Sequence, residues 1–422
     1  MSGAAQVVKW IDDHRDEVVA FLQDLIRIPS VTGDEGAIQD FLADRLRPMG
    51  LTVDVWEPDW AALKGHPGYV AVDRGYEGRP NVVATLKGAG GGRSLLFNGH
   101  VDVIPPGPAE GWTHGAWSGD LDETAVHGRG SSDMKAGLAA MTMAVKAVVA
   151  SGLRLKGDVV LEYTVDEELS GNGTLACVQR GYAADAGICC ETSSMRIQPG
   201  SIGRIWFEIT VRGRAAGIQR HRDGVSAIEL GYLVTQVVAA FEERRFEQVS
   251  HPLYPEIREA IPCAVGVFES GSYHSAFPDV CLLKGSMATV PGEDADTVKQ
   301  QFVAFIQERC ADDPWLAGHP PEVRFTGYFA EPSEIQVDSE IVRCLSESFR
   351  RIAGREPEIS GREGAADTRH LNTYGGTPTV IFGPGMTEQM HANDEWASVA
   401  DLVAATKILA VTILDWCGHD GD

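Results

Sequence analysis

Long apolar runs are what this sequence lacks first. None of its 422 residues lies in a stretch approaching the roughly 18–20 consecutive apolar residues of a membrane span, so no membrane association is expected. Basic charge is scarce as well: 36 Lys and Arg stand against 60 Asp and Glu, a formal charge of -24. So acidic a surface repels polyanions, which argues against nucleic acid and anionic lipid as partners. The eight cysteines (Cys177, Cys189, Cys190, Cys263, Cys281, Cys310, Cys344 and Cys417) include no CxxC pair. That disfavours a zinc knuckle and leaves buried, reduced thiols as the expectation. Repeats and low-complexity tracts are absent. The opening MSGAAQVVKWIDDHRDEVVAFL has no basic start followed by an apolar stretch. It reads as a helix rather than an export signal, and the chain as cytoplasmic. What remains is 44% hydrophobic and 23% charged, ordinary for a soluble chain of about two or three domains.

The first half alternates helices and short β-rich runs. Helical spacing appears at 15–28 and 36–49, and strand-like runs at 51–56, 81–86 and 94–103. The glycine run Gly88–Gly92, lying between two strands, predicts a hairpin loop rather than a phosphate cradle, because no helix follows it. A small-residue helix follows Asp133, and 158–168 is a strand apolar on both faces, as in a sheet covered by helices on each side. This is an α/β pattern with a mostly parallel sheet. From Arg204 the pattern becomes β-α-β-β-α-β, the ferredoxin-like order, before the first style resumes after 330. The expected organisation is a larger domain of residues 1–203 and 330–422 with a smaller α+β domain, 204–329, inserted into it.

Polar residues gather at the ends of the buried strands, where open α/β sheets place their sites. His100 and Asp102 are two apart in FNGHVDVIP, an imidazole with a carboxylate partner that suits a metal ligand, though such a pair also occurs incidentally. Asp133 stands in GRGSSDMKAG, near a helix start, where an N-cap is the simpler role. Asp166, Glu167 and Glu168 crowd the end of one strand and repel unless cations or solvent intervene. Glu191 ends another apolar run, and His391 lies in GPGMTEQMHANDEW. Two imidazoles and three carboxylates without a thiolate suit Zn, Mn or Co. If Asp133, Glu168 and Glu191 hold two divalent ions, Glu167 is left over as a general base that takes a proton from water.

The ordered segments GHVDV, GRGSSDMKAG, DEE, the strand-end Glu191 and GPG…MHANDEW resemble the M20 metallopeptidase family, which includes aminoacylases, deacylases and carboxypeptidases. The resemblance covers essentially the whole chain. It implies a zinc-peptidase-like catalytic domain and a lid domain that pairs two copies into a homodimer. It implies further that one or two divalent ions bind, His100 and Glu191 on one, Glu168 and His391 on the other, with Asp133 bridging. Asp102 would orient His100, and Glu167 would be the catalytic base. GAADTRHL resembles the stretch that supplies an arginine for a substrate carboxylate, here Arg369.

Three departures fall in the lid. Gly217 stands where the family has a histidine that stabilises the oxyanion, with His221 four residues on; Ser275 replaces an asparagine and Ala288 an arginine. Losing an oxyanion donor costs about 3–4 kcal/mol in acyl transfer. Family grounds imply hydrolysis of an amide in a small carboxylate-bearing molecule. The departures raise a second possibility, release of ammonia from an activated aromatic amine such as a substituted aminobenzoate, engaged by Gln219, Arg220, His221, Arg222 or Arg369. A non-catalytic binding protein is the third reading, disfavoured because every expected ligand and Glu167 are present.

Overall fold

The computed structural model describes residues 2–420 and divides into two compact units. One is built from residues up to 200 with 334–360 and 366 onward, the other from 201–333 with 361–365.

The first unit is organised by a nine-stranded sheet. Its strands run Thr52–Trp56, Asn81–Leu86, Val159–Thr164, Leu95–His100, Ala186–Cys189, Thr379–Ile381, Ile197–Ser201 and Ser333–Glu334, with Ile359–Arg362 beside Ile197–Ser201. The central four are mutually parallel, and antiparallel pairs flank them. Alternate residues of one strand serve opposite faces. Leu95 and Phe97 pack into the main core with helices Ala136–Ala150 and Val399–Cys417, while Leu96 packs with Val83, Val160, Cys177 and Leu371. This two-sided burial is why the central strands read as unbroken apolar runs. Helix Ala136–Ala150 is rich in Ala because it lies close against the sheet. A Cβ at Gly137 would stand 1.8 Å from the carbonyl oxygen of Cys190.

Gly88–Gly92 does not close a hairpin. Strand Val159–Thr164 lies between the two strands it connects, antiparallel to one and parallel to the other. The glycines instead let the chain cross the start of that strand. Gly88 donates its N–H to the Asp158 carboxylate at 2.9 Å, Gly90 donates to the Lys156 carbonyl at 2.8 Å, and a Cβ at Gly92 would fall 2.1 Å from the Cys417 carbonyl. The opening segment is two helices, Gly3–Asp13 and Arg15–Arg27, broken at His14.

The second unit is a four-stranded antiparallel sheet in the order Cys263–Ser270, Val280–Thr289, Gly203–Arg212, Glu322–Ala330. With helices Ala227–Gln248 and Ala295–Cys310 it has the ferredoxin-like order expected from the alternation. Ile205, Phe207, Ile209 and Val211 face those helices through Val234, Phe241, Phe302 and Ile306. All eight cysteines are free, seven of them buried and Cys344 half-buried. Among the described residues no helix is long and apolar enough to cross a membrane.

Candidate metal centre

The centre lies at the ends of the parallel strands, where the chain leaves the core. His100 is the last residue of its strand and is buried. Its Nδ1 hydrogen-bonds the backbone oxygen of Asp102 at 2.9 Å, which fixes the ring and turns Nε2 toward Asp133 Oδ1 at 3.2 Å, Glu191 Oε1 at 3.5 Å and Glu167 Oε2 at 3.9 Å. The strand ends at His100, so Asp102 is not its same-face neighbour; the Asp102 carboxylate lies 3.6 Å from Nδ1. That carboxylate accepts the backbone N–H of Glu167 at 3.0 Å and of Glu168 at 3.2 Å, together with the Thr32 hydroxyl at 2.8 Å. Asp102 therefore orients His100 through its carbonyl and the acidic pair through its carboxylate.

Glu167 and Glu168 follow Asp166, whose φ of +69° turns the chain at the strand end. Asp166 is held there by Arg79 at 2.9 Å, by the Tyr76 hydroxyl at 2.9 Å and by Ser170. Arg79 in turn forms two 2.6 Å bonds to the buried Glu35. Asp133 is not the N-cap: helix Ala136–Ala150 begins three residues later, with Lys135 in the capping position. His391, at φ +62°, brings Nε2 to 3.0 Å from Glu168 Oε2 and 3.4 Å from Asp133 Oδ2, with half of its side chain exposed.

Two groups of side chains that could hold a metal ion result: His100, Asp133 and Glu191, and Asp133, Glu168 and His391, each with its donor atoms within 4.8 Å of one another. Asp133 belongs to both. Burial opposes charge on the His100 ring, but hydrogen bonds to Asp133 and Glu191 carry its pKa well above the usual value. His391 is raised to about 10 by its bonds to Asp133 and Glu168. Burial pushes Glu167 well up and raises Glu168, whose neighbour Asp133 adds to the effect, and takes Asp102 to about 8 against the opposing pull of His100. These carboxylates and imidazoles hold protons because they are short of positive charge, the condition that divalent cations relieve on binding. An oxygen and nitrogen donor set without thiolate fits such ions.

Comparison with known proteins agrees with this geometry. Residues 96–415 match the model of Peptidase family M20/M25/M40. The chain belongs to the M20 family. It is a metal-dependent hydrolase acting on C–N bonds. A deformylase of N-formyl-4-amino-5-aminomethyl-2-methylpyrimidine from Halalkalibacterium halodurans is 30% identical, covering 99% of this chain and 98% of that one. A deformylase of the same name from Bacillus subtilis is 29% identical, covering 97% of each chain. Human carnosine dipeptidase 1 shares the fold with a TM-score of 0.74 at 16% identity, covering 99% of each chain. An M20 metallo-carboxypeptidase from Sulfolobus solfataricus does so at 0.72 and 18%, covering 94% of this chain and 98% of that one.

Of the residues the M20 resemblance singled out, His100, Asp102, Asp133, Glu167, Glu168, Glu191 and His391 come together. Arg369 is buried in the same unit. Its guanidinium donates to the Ala366 carbonyl at 3.1 Å and the Ser170 carbonyl at 2.7 Å and lies 3.6 Å from Asp367. Gln219, Arg220, His221 and Arg222 occupy an exposed turn, Ile218–Asp223, in the second unit, where Arg220 pairs locally with Asp223 at 2.7 Å. Gly217 pairs with Ala276, Ser275 accepts the Ile218 N–H at 3.0 Å, and Ala288 is buried in an apolar cluster with Ile202 and Leu253.

Sequence reasoning missed Glu395. Fully buried, it accepts the backbone N–H of Ser132 and Asp133 on Oε1 at 2.9 and 3.0 Å, and that of Gly130 with Arg129 Nη1 on Oε2 at 2.9 and 2.7 Å. The signal was present: an acid four residues beyond a candidate ligand, in the same acid-rich segment.

Proposed function

We propose that this chain is a two-ion amidase that removes a formyl or similarly small acyl group from a heteroaromatic methylamine. The observation that carries the reading is the pair of ligand groups sharing Asp133, with the Glu167 carboxylate beside them. The curated relatives, similar over nearly their whole length, support the substrate class. Arg369 supports it too, since its bonds to two carbonyls stay intact when the substrate carries no carboxylate.

His100, Glu191, Glu168 and His391 would hold the ions, Zn, Mn or Co, with Asp133 between them. Bound there, they supply Lewis acidity toward the amide oxygen and make water a stronger acid. Glu167, its backbone fixed by Asp102, takes a proton from water as the water oxygen bonds to the carbonyl carbon. The same carboxyl then passes that proton to the nitrogen as the C–N bond breaks, giving formate and the free amine. Two copies pair through the second unit, whose edge strand Cys263–Ser270 leaves Val267 and Phe268 exposed. Eight free cysteines suit a reducing cytoplasm.

A second reading, release of ammonia from an activated aromatic amine, is favoured by Gly217, Ser275 and Ala288. Charge spread into an aromatic ring needs no fixed oxyanion donor. One panel separates the two readings: N-formyl aminomethylpyrimidine, N-acyl amino acids and substituted aminobenzoates, each with and without chelator. Formate and amine in equal amounts, abolished by chelation, are expected. Ammonia from the aminobenzoates with no formate would replace the first reading by the second.

A further inference from the structure

We propose that Glu395 is a positioning residue that sets the spacing between the two metal-ligand groups. The inference rests on the two-ion reading above. It comes from the way one buried carboxylate joins two loops that are distant in sequence.

The loop 128–135 supplies Asp133, and the loop 391–396 supplies His391. The antiparallel pair Ala125–His127 and Trp396–Ser398 brings the two loops side by side, but the ligand residues themselves lie in irregular backbone: Asp133 is non-helical, and His391 and Asp394 both have positive φ. Glu395 spans them, receiving the N–H groups of Gly130, Ser132 and Asp133 and one guanidinium arm on its two oxygens. Arg129 closes the link by donating from the same Nη1 to the Ala392 carbonyl at 2.9 Å, one residue past His391. Gly128 donates its N–H to the Glu395 carbonyl at 2.9 Å, and Ser132 donates its hydroxyl to the Trp396 carbonyl at 3.0 Å. The Asp133 N–H is thus tied to the residue that follows His391 by four. Asp133 is common to both groups and His391 belongs to one, so this carboxylate governs how far apart the ligands stand.

Glutamine has nearly the shape of glutamate but presents an NH2 where one oxygen stood. Either orientation sets that donor against two donors, so Glu395→Gln breaks one side of the link without removing volume. Groups that orient ligands from behind typically contribute about 10- to 100-fold in metal affinity.

The test titrates the chelator-stripped protein with Co(II) against a chromophoric chelator and records the visible spectrum of the Co(II) protein. Glu395→Gln, folded by circular dichroism, should bind Co(II) about 10- to 100-fold more weakly and show an altered spectrum. Parent affinity and spectrum in Glu395→Gln would overturn the proposal, even if the metal-free variant melts at a lower temperature. Should that variant not fold, Arg129→Gln takes its place, with several-fold weaker binding expected and parent affinity again overturning the idea. A parent protein that binds no Co(II) rejects the metal reading itself; a parent that binds, beside an unaltered variant, rejects only the role of Glu395.

Discussion

The metal centre and the exposed turn Ile218–Asp223 differ in what holds their side chains. At the centre, Asp133, Glu167 and Glu168 are each fixed by bonds from residues far away in sequence and His100 by the Asp102 carbonyl two residues on, and the partners Glu395 and Asp102 are buried. In the turn, Arg220 and His221 make only short-range bonds, to Asp223 and to the Ile218 carbonyl, and none of its six residues is buried. A buried polar group left without its partner costs far more than an exposed one, so the first region resists change and the second tolerates it.

Four substitutions probe that contrast. Glu167→Gln should lower kcat by about 10²- to 10⁴-fold while metal content, measured by elemental analysis, stays at the parent value. Loss of metal together with activity would make Glu167 a ligand instead. Next comes the support behind the acidic pair. Arg79→Met strands Glu35 and Asp166 as unpaired buried carboxylates, and chemical denaturation should register a loss of about 3–5 kcal/mol.

Glu162 tests the buried region by pH. Burial raises its carboxyl from 4.5 to about 8, against the opposing hydrogen bond from Asn98. The folded pKa lies above the unfolded one, so the stabilisation from its proton is complete below the unfolded value and is lost as pH rises through about 8. Urea unfolding between pH 6 and 9 should therefore show a steeper decline for the parent than for Glu162→Gln, which carries no titrating proton. Equal slopes would rule this out. The smallest effect belongs to the exposed turn: Arg222→Ala should change stability by less than about 0.5 kcal/mol. A stability loss as large as that of Arg79→Met would erase the contrast.

Much of this was legible in the sequence, for reasons specific to certain residues. Carboxylates and imidazoles at the ends of doubly buried strands stand out against apolar runs, which is why His100, Glu168 and Glu191 could be found. The alternation from Arg204 onward disclosed the ferredoxin-like order. Gly88–Gly92 misled because neighbours in sequence need not be neighbours in a sheet; strand Val159–Thr164 arrives later in the chain and slots between. Glu395 was overlooked because three of its four donors are backbone N–H groups, which leave no residue-type signature, so its place four residues after His391 was the sign to follow. Arg369 shows the same limit, since its carbonyl acceptors cannot be read from side-chain identity.

His391 and Glu395 lie beyond the second unit in the chain, while His100, Asp133, Glu168 and Glu191 lie before it. During synthesis the ribosome therefore delivers four of the candidate ligands, then an entire separate unit that carries its own core, and only then the fifth, with Glu395. Strand Thr379–Ile381, needed to complete the parallel sheet beside Ala186–Cys189, arrives equally late. A chain halted before residue 391 would carry four ligands and no second imidazole. Such a chain should retain metal more weakly than one that extends past His391, a difference that a simple chelator column can read.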